Sequence, residues 1–199
     1  MTLGETPSGS PTDVMLRLRK ETAGSHARLE KALALLDPPL ARERFVTLLE
    51  RFYGFHAVWE PVIAPHFDPD FLQPRRRIRL IEADLIALGH HPADTKPPFC
   101  FGAAALGRSP ESALGSLYVV EGSTLGGQVI ARGLQGTGWG ERIRYFNPYG
   151  EGTGTMWSAL KTLVRTRSGT SSDPKIMAGA LATFDLLQDW LSPAFPEPA

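Results

Sequence analysis

The 199-residue chain is long enough for one well-filled core and short for two, since single domains commonly run to about 100 to 200 residues. Lys plus Arg balances Asp plus Glu at 21 each, so no global charge draws the protein to nucleic acid or to an anionic membrane, and neither is expected as a partner. Cys100 is the single cysteine; without a Cys/His cluster it points to a reducing compartment, the cytoplasm, and away from disulfides and structural zinc.

Residues 1–12 are rich in Thr, Ser, Pro and Gly, lack the apolar stretch of a secretory signal, and are expected to be a disordered tail. Apolar residues then recur at three- and four-residue steps, and alternating strand-like segments are hard to find, so the expected fold class is all-α, one helical domain over residues 13–191. The first helix starts behind Asp13 as N-cap and runs to about Leu36, where Asp37-Pro38-Pro39 stops it. A second covers about Leu40 to Ile63. A third begins near Pro74 and ends around Gly89, its opening run Arg75-Arg76-Arg77 with Arg79 reading as a solvated face. His90 to Leu106 holds Pro92, Pro97, Pro98 and Gly102 and reads as loop or short turns. Ser109-Pro110-Glu111 opens a fourth helix to about Leu134. A long glycine-rich connection follows, from Gln135 to Thr155. A fifth helix holds Met156 to Arg167, Asp173-Pro174 opens a last one to about Leu191, and residues 192–199 form a polar, Pro-rich tail. Nothing approaches the roughly 18 consecutive apolar residues of a membrane span.

In the first helix Leu18, Thr22, His26, Leu29, Leu33 and Leu36 form one stripe, which places His26 on the inward face. An inward histidine alone is more often a core residue than a ligand. Glu30 at i+4 changes that balance: its carboxylate can take the Nδ1 proton, fix the tautomer and leave Nε2 free for a metal, such as the iron of a haem. Arg19 lies two turns before His26, about 10 Å along nearly the same face. In the fourth helix Gly115, Gly122, Gly126 and Gly133 follow one another on one side. Each glycine inside a helix costs about 1 kcal/mol relative to alanine, so a compensating role is required. Close helix packing and a backbone laid against a flat ligand both satisfy it. Lys161 and Arg165 share a face of the fifth helix.

At these residues the sequence resembles the haem oxygenase family, and more closely its bacterial members, including those that supply biliverdin to phytochromes. The segments carrying the resemblance are Leu18-Arg19-Lys20-Glu21-Thr22 to His26-Ala27-Arg28-Leu29-Glu30, Leu117-Tyr118-Val119-Val120-Glu121-Gly122-Ser123-Thr124-Leu125-Gly126-Gly127-Gln128 and, more weakly, Leu160 to Arg167. The resemblance implies a helical bundle with haem between a proximal and a kinked distal helix. His26 would be the iron ligand with Glu30 behind it. Gly122 and Gly126 would cover the opposite haem face, while Arg19, Tyr118, Lys161 and Arg165 occupy positions that hold the propionates. Phe184 is a looser carry-over to the pocket wall. The mammalian pattern has a water-organising carboxylate in the distal helix; Ser123 or Thr124 stands there instead. The implied reaction is oxidative opening of haem, both substrate and cofactor, to biliverdin with release of iron and carbon monoxide. It uses dioxygen and electrons from an external donor, a ferredoxin or a reductase docking near Arg19, Lys20, Arg132 and Lys161. A non-catalytic haem carrier or sensor is the alternative on the same site. A helical hydrolase of the thiaminase type would need a nucleophilic cysteine with a partner, and Cys100 lies in a Pro-rich loop without one.

Overall fold

A computed structural model describes residues 13–33 and 41–192. Among them all regular structure is helical: α1 (Val14–Leu33), α2 (Arg42–Ile63), α3 (Pro69–Leu72), α4 (Ile78–Ala87), α5 (Pro92–Thr95), α6 (Pro110–Gly133), α7 (Thr153–Arg167) and α8 (Asp173–Leu191), with short 3-10 turns between them. The expected all-α class and single helical domain architecture are what the chain adopts. The expected tails and the stop at Asp37-Pro38-Pro39 lie outside the described residues, except Ser192.

The long helices start where the side chains can cap them. Asp13 accepts from Met15 N at 3.0 Å, and Ser109 Oγ accepts from Ser112 N at 3.1 Å. Helix α6 packs most extensively on α8, and α1 lies across α8 and α7, while α2 packs on α4 and on the 3-10 turns over Phe101–Gly107. Leu18, Leu114, Leu117, Leu160 and Ile176 are fully buried where these helices meet. The α6–α8 contact is unusually close. A Cβ on Gly115 would lie 2.0 Å from the Ile176 carbonyl oxygen, and one on Gly179 would lie 2.6 Å from that of Ser112. Backbones meet there with no room for a methyl group, and the main-chain contact compensates for glycine's low helix propensity.

Three sequence expectations are corrected. Helix α4 begins at Ile78, not near Pro74, because Gln73–Arg75 form a 3-10 turn and the Glu60 carboxylate supplies the N-terminal cap from another helix. Its Oε1 accepts from Arg77 N at 2.6 Å and Ile78 N at 2.9 Å. The arginine run is also not a uniformly solvated face: Arg76 and Arg79 are exposed, but Arg75 and Arg77 are buried. Opposite them is Glu121, the one buried carboxylate of α6. Helix α7 starts three residues earlier than expected, at Thr153, whose hydroxyl donates to the Gly150 carbonyl at 2.8 Å.

The long connection between α6 and α7 is held down by Asp84. Its carboxylate accepts from Arg144 N at 3.0 Å and from Tyr145 N at 2.8 Å. Burial nevertheless pushes the Asp84 carboxyl up to about 6, against the pull of these donors.

Candidate functional site

The chain contains two His-x-x-x-Glu pairs at helical i,i+4 spacing, and they have opposite surroundings. In α2, His56 is 1% exposed; its Nδ1 lies 3.1 Å from Glu60 Oε1 and its Nε2 3.3 Å from the Tyr145 hydroxyl. Both ring nitrogens are engaged, and burial holds the imidazole below its ordinary pKa, hence neutral. Burial would by itself raise the Glu60 carboxyl, but His56 and the backbone donors of Arg77 and Ile78 hold it below the usual range. This pair is structural.

In α1, His26 Nδ1 lies 3.2 Å from Glu30 Oε2, and the imidazole side chain is 53% exposed. Its ring meets Phe184 of α8 edge-on at 5.9 Å. Nε2 has no hydrogen-bond partner among the described residues. The expectation that His26 lies inside is therefore corrected. The sealed seam of α1 runs through Leu18, Thr22, Ser25 and Leu33 with Leu29 beside it, and His26 stands at its margin. A stripe built from three- and four-residue steps spans some 100°, so sequence spacing does not separate its centre from its edge. An imidazole oriented by a carboxylate, walled by an aromatic ring and open at Nε2 has what an iron ligand requires.

The glycine row of α6 is not uniform either, because one helix face meets different neighbours along its length. Gly115 packs against α8, and Gly127 packs against the connection, where a Cβ would lie 2.2 Å from the Phe146 carbonyl oxygen. The packing explanation holds at those two. At Gly122 a Cβ would make ordinary contact with the Trp157 ring at 3.7 Å, and at Gly126 it would meet nothing within 4 Å. Gly126 is exposed, so helix packing does not account for it. Ser123 Oγ donates to the Val120 carbonyl and Thr124 Oγ1 to that of Glu121, each at 2.7 Å. Such back-bonding loosens and bends a helix. Ser123 is exposed and Thr124 buried, so of the two only Ser123 presents its oxygen to the surface.

The remaining expected residues fall into two groups. Arg19 is exposed on α1 near Tyr118, and burial keeps the Tyr118 phenol above its ordinary pKa against the pull of Thr22 and Arg19. Tyr118 also packs on Trp157 with ring centres 5.6 Å apart. Lys161 is half-buried on α7 and has no ion pair among the described residues, and the same is true of exposed Arg19. Arg165 instead pairs with Asp13 through two contacts, Nη2 to Oδ2 at 2.7 Å and Nε to Oδ1 at 3.3 Å, tying α7 to the start of α1. Arg19 and Lys161 are thus the cations better placed to meet an anionic group.

Sequence reasoning missed a buried polar chain beside this surface. Glu121, 0% exposed, accepts from Arg77 Nη2 at 2.6 Å and from the Tyr149 hydroxyl at 2.7 Å, with Arg75 Nε at 3.5 Å. A lone carboxylate at an inward position of α6, with an arginine run elsewhere in the chain, was the available signal. A buried charge requires a partner.

No family model matches the sequence, and no curated protein matches it. Solved structures do. The chain superposes on the haem oxygenase from Leptospira interrogans with a TM-score of 0.75 at 18% identity, covering 92% of this chain and all (100%) of the other. It superposes on the haem oxygenase of Neisseria meningitidis, solved with nitric oxide and carbon monoxide bound, at 0.73 and 20% identity, over 95% of this chain and 96% of that one. With haem oxygenase 2 from Chlamydomonas reinhardtii, solved without haem, the score is 0.77 at 18% identity, over 94% and 100%. At these identities the likeness is one of fold: the chain has the haem oxygenase fold.

Proposed function

We propose that residues 13–191 form a single haem-binding unit that oxidatively opens haem to biliverdin, releasing iron and carbon monoxide, as bacterial haem oxygenases do. The observation that carries this reading is the contrast between the two histidine pairs. On a fold shared with haem oxygenases, His56 is sealed with both nitrogens engaged, whereas His26 is oriented by Glu30 and open at Nε2. The open face at Gly126 fits the group as well, since a flat macrocycle needs a backbone without side chains against it.

When bound, haem supplies both the iron that takes up dioxygen and the ring that is oxidised. Everything else falls to the chain. Glu30, 3.2 Å from Nδ1, would orient the His26 ring and leave Nε2 as the nitrogen that would hold the iron. Phe184 fixes the plane of the imidazole from the side. Arg19 and Lys161 would pair with the propionates, and Tyr118, packed on Trp157 and near Arg19, would add an aromatic wall. Gly122 and Gly126 let α6 approach the opposite face. Ser123 donates its hydroxyl hydrogen bond to the Val120 carbonyl, so its oxygen is free to accept from a water that would deliver protons in place of a distal carboxylate. An external ferredoxin or reductase supplies electrons by docking on the exposed cations Arg19, Lys20 and Arg132 and on Lys161. Cytoplasmic residence follows from the same reading, and no described helix is long and apolar enough to cross a membrane.

The test is a haem titration followed by reduction in air. Wild type should take up one haem with a histidine-ligated Soret band, and His26→Ala should lose that band. Electrons and dioxygen should then convert the bound pigment to biliverdin. A bound haem that survives turnover conditions identifies a carrier instead, and an unchanged spectrum in His26→Ala removes His26 as the ligand.

A further inference from the structure

Helix α6 carries glycine at 122, 126 and 127, so the turn proposed to cover haem is the part of the helix least held by its own side chains. Two points tie it down. At its far end Gly127 rests on the backbone of Phe146. At its near end Glu121, the residue before Gly122, points into the protein and is fully buried. Its Oε1 accepts from Arg77 at the start of α4 and from Tyr149 of the α6–α7 connection, and Arg75 stands 3.5 Å from Oε2. Arg75 is itself fixed by donating to the carbonyls of Phe71 at 2.7 Å and Met156 at 3.0 Å. Arg77 is fixed through its backbone N–H, which donates to Glu60. The carboxylate is therefore hydrogen-bonded by Arg77 and Tyr149 and ion-paired with Arg75, which lie on three segments outside α6. At this residue and the one before it, the carbonyls of Glu121 and Val120 each accept from a hydroxyl three residues on, a contact that weakens the helix locally.

A buried ion pair of this kind contributes little net stability, because desolvation offsets most of the Coulomb attraction. What it does supply is direction. A carboxylate that must satisfy two arginines and a tyrosine in a dry interior fixes the rotation of α6 about its own axis at the residue where the glycine segment begins.

We propose that Glu121 is a positioning residue: its buried attachment to Arg77, Arg75 and Tyr149 sets the height and rotation of the Gly122–Gly126 segment over the haem face. This rests on the haem-binding reading above, and it assigns Glu121 no contact with haem. Arg77 and Tyr149 act through Glu121 in the same role.

Glu121→Gln tests it, since the amide keeps the shape and an acceptor for Arg77 and Tyr149 while removing the charge. In the ligand-free protein, amide hydrogen exchange across residues 121–127 should accelerate about tenfold or more, with α1, α2 and α8 unchanged. In the haem-loaded protein, affinity should stay the same, the carbon monoxide stretching frequency should shift, and kcat should fall about tenfold or more, as misplacement of a catalytic surface by an ångström permits. Tyr149→Phe, which removes one hydrogen bond and no charge, should move the same readouts in the same direction by less, and it decides the matter if Glu121→Gln does not fold. Exchange and spectra identical to wild type overturn the proposal, and so does a loss of protection spread evenly over all helices. Failure of wild type to take up haem would instead overturn the functional reading, while the exchange measurement would still report on the anchor.

Discussion

Replacing Gly126 with leucine should stabilise the ligand-free protein and stop turnover, two effects that a helix-packing glycine would not produce together. A Cβ at Gly126 meets no atom within 4 Å, so the new side chain enters open space. Leucine is better than glycine inside a helix by about 0.8 kcal/mol, which for a domain of this size raises Tm by roughly 2 to 3 °C. Against a bound macrocycle the same side chain is overpacked by about 1 to 3 kcal/mol, lowering haem affinity about 5- to 150-fold. Haem should still bind through His26, because the substitution leaves α1 untouched. Gly115→Ala is the matched control: its methyl would lie 2.0 Å from the Ile176 carbonyl oxygen. It should lose about 1 to 3 kcal/mol or more. Thermal melts of the ligand-free variants, Soret titrations and biliverdin absorbance measure all three quantities. A Gly126→Leu protein that melts below wild type would return Gly126 to helix packing, and one that makes biliverdin at the normal rate would show that it does not face haem.

The two histidine pairs should dissociate cleanly. His26→Ala should keep its fold and lose histidine-ligated haem, whereas His56→Ala should keep the haem band and lose about 2 to 3 kcal/mol in denaturant melts, from a buried hydrogen-bond network and the cavity left behind. Arg19→Glu should weaken haem binding about tenfold, roughly 1.4 kcal/mol, and alter the biliverdin isomer ratio; unchanged affinity and isomers would make Arg19 an ordinary surface residue. Asp84 should give a distinctive pH dependence. Its folded pKa, about 6, is above the ordinary 3.8, so the protonated carboxyl favours the fold and that contribution is lost as pH rises from about 4 through 6. The stability of wild type minus that of Asp84→Asn should therefore fall across this window, by at most about 3 kcal/mol, and a difference that rises instead would reverse the assignment.

Helix type and order were legible because they depend on local rules. Apolar spacing, Asp13 and Ser109 as caps, and the prolines at 110 and 174 placed α1, α2, α6 and α8 to within a few residues at the ends described. The start of α4 was not legible, since its cap is the Glu60 side chain, seventeen and eighteen residues before the N–H groups of Arg77 and Ile78 it satisfies. Nor was the burial of Arg75 and Arg77. A charge run reads as solvated unless the partner that neutralises it is known, and Glu121 lies 44 residues beyond Arg77.

The candidate site shows the same division more sharply. His26-x-x-x-Glu30 and His56-x-x-x-Glu60 have the same spacing and similar nitrogen to oxygen distances, 3.2 and 3.1 Å. What separates them is Tyr145, which closes on Nε2 of His56 from a connection 89 residues away and is itself held by Asp84. Spacing therefore identifies residues able to orient an imidazole, but only tertiary closure decides whether the second nitrogen is left for chemistry. The same holds for the glycines of α6, where packing against α8 and Phe146 accounts for Gly115 and Gly127 and leaves Gly122 and Gly126 to be explained by something the helix faces. In both cases the residue proposed to act on haem is the one whose local pattern the packed fold leaves open, at Nε2 of His26 and at the surface of Gly126, which is why a reading that begins from periodicity needs the packed fold before it can choose.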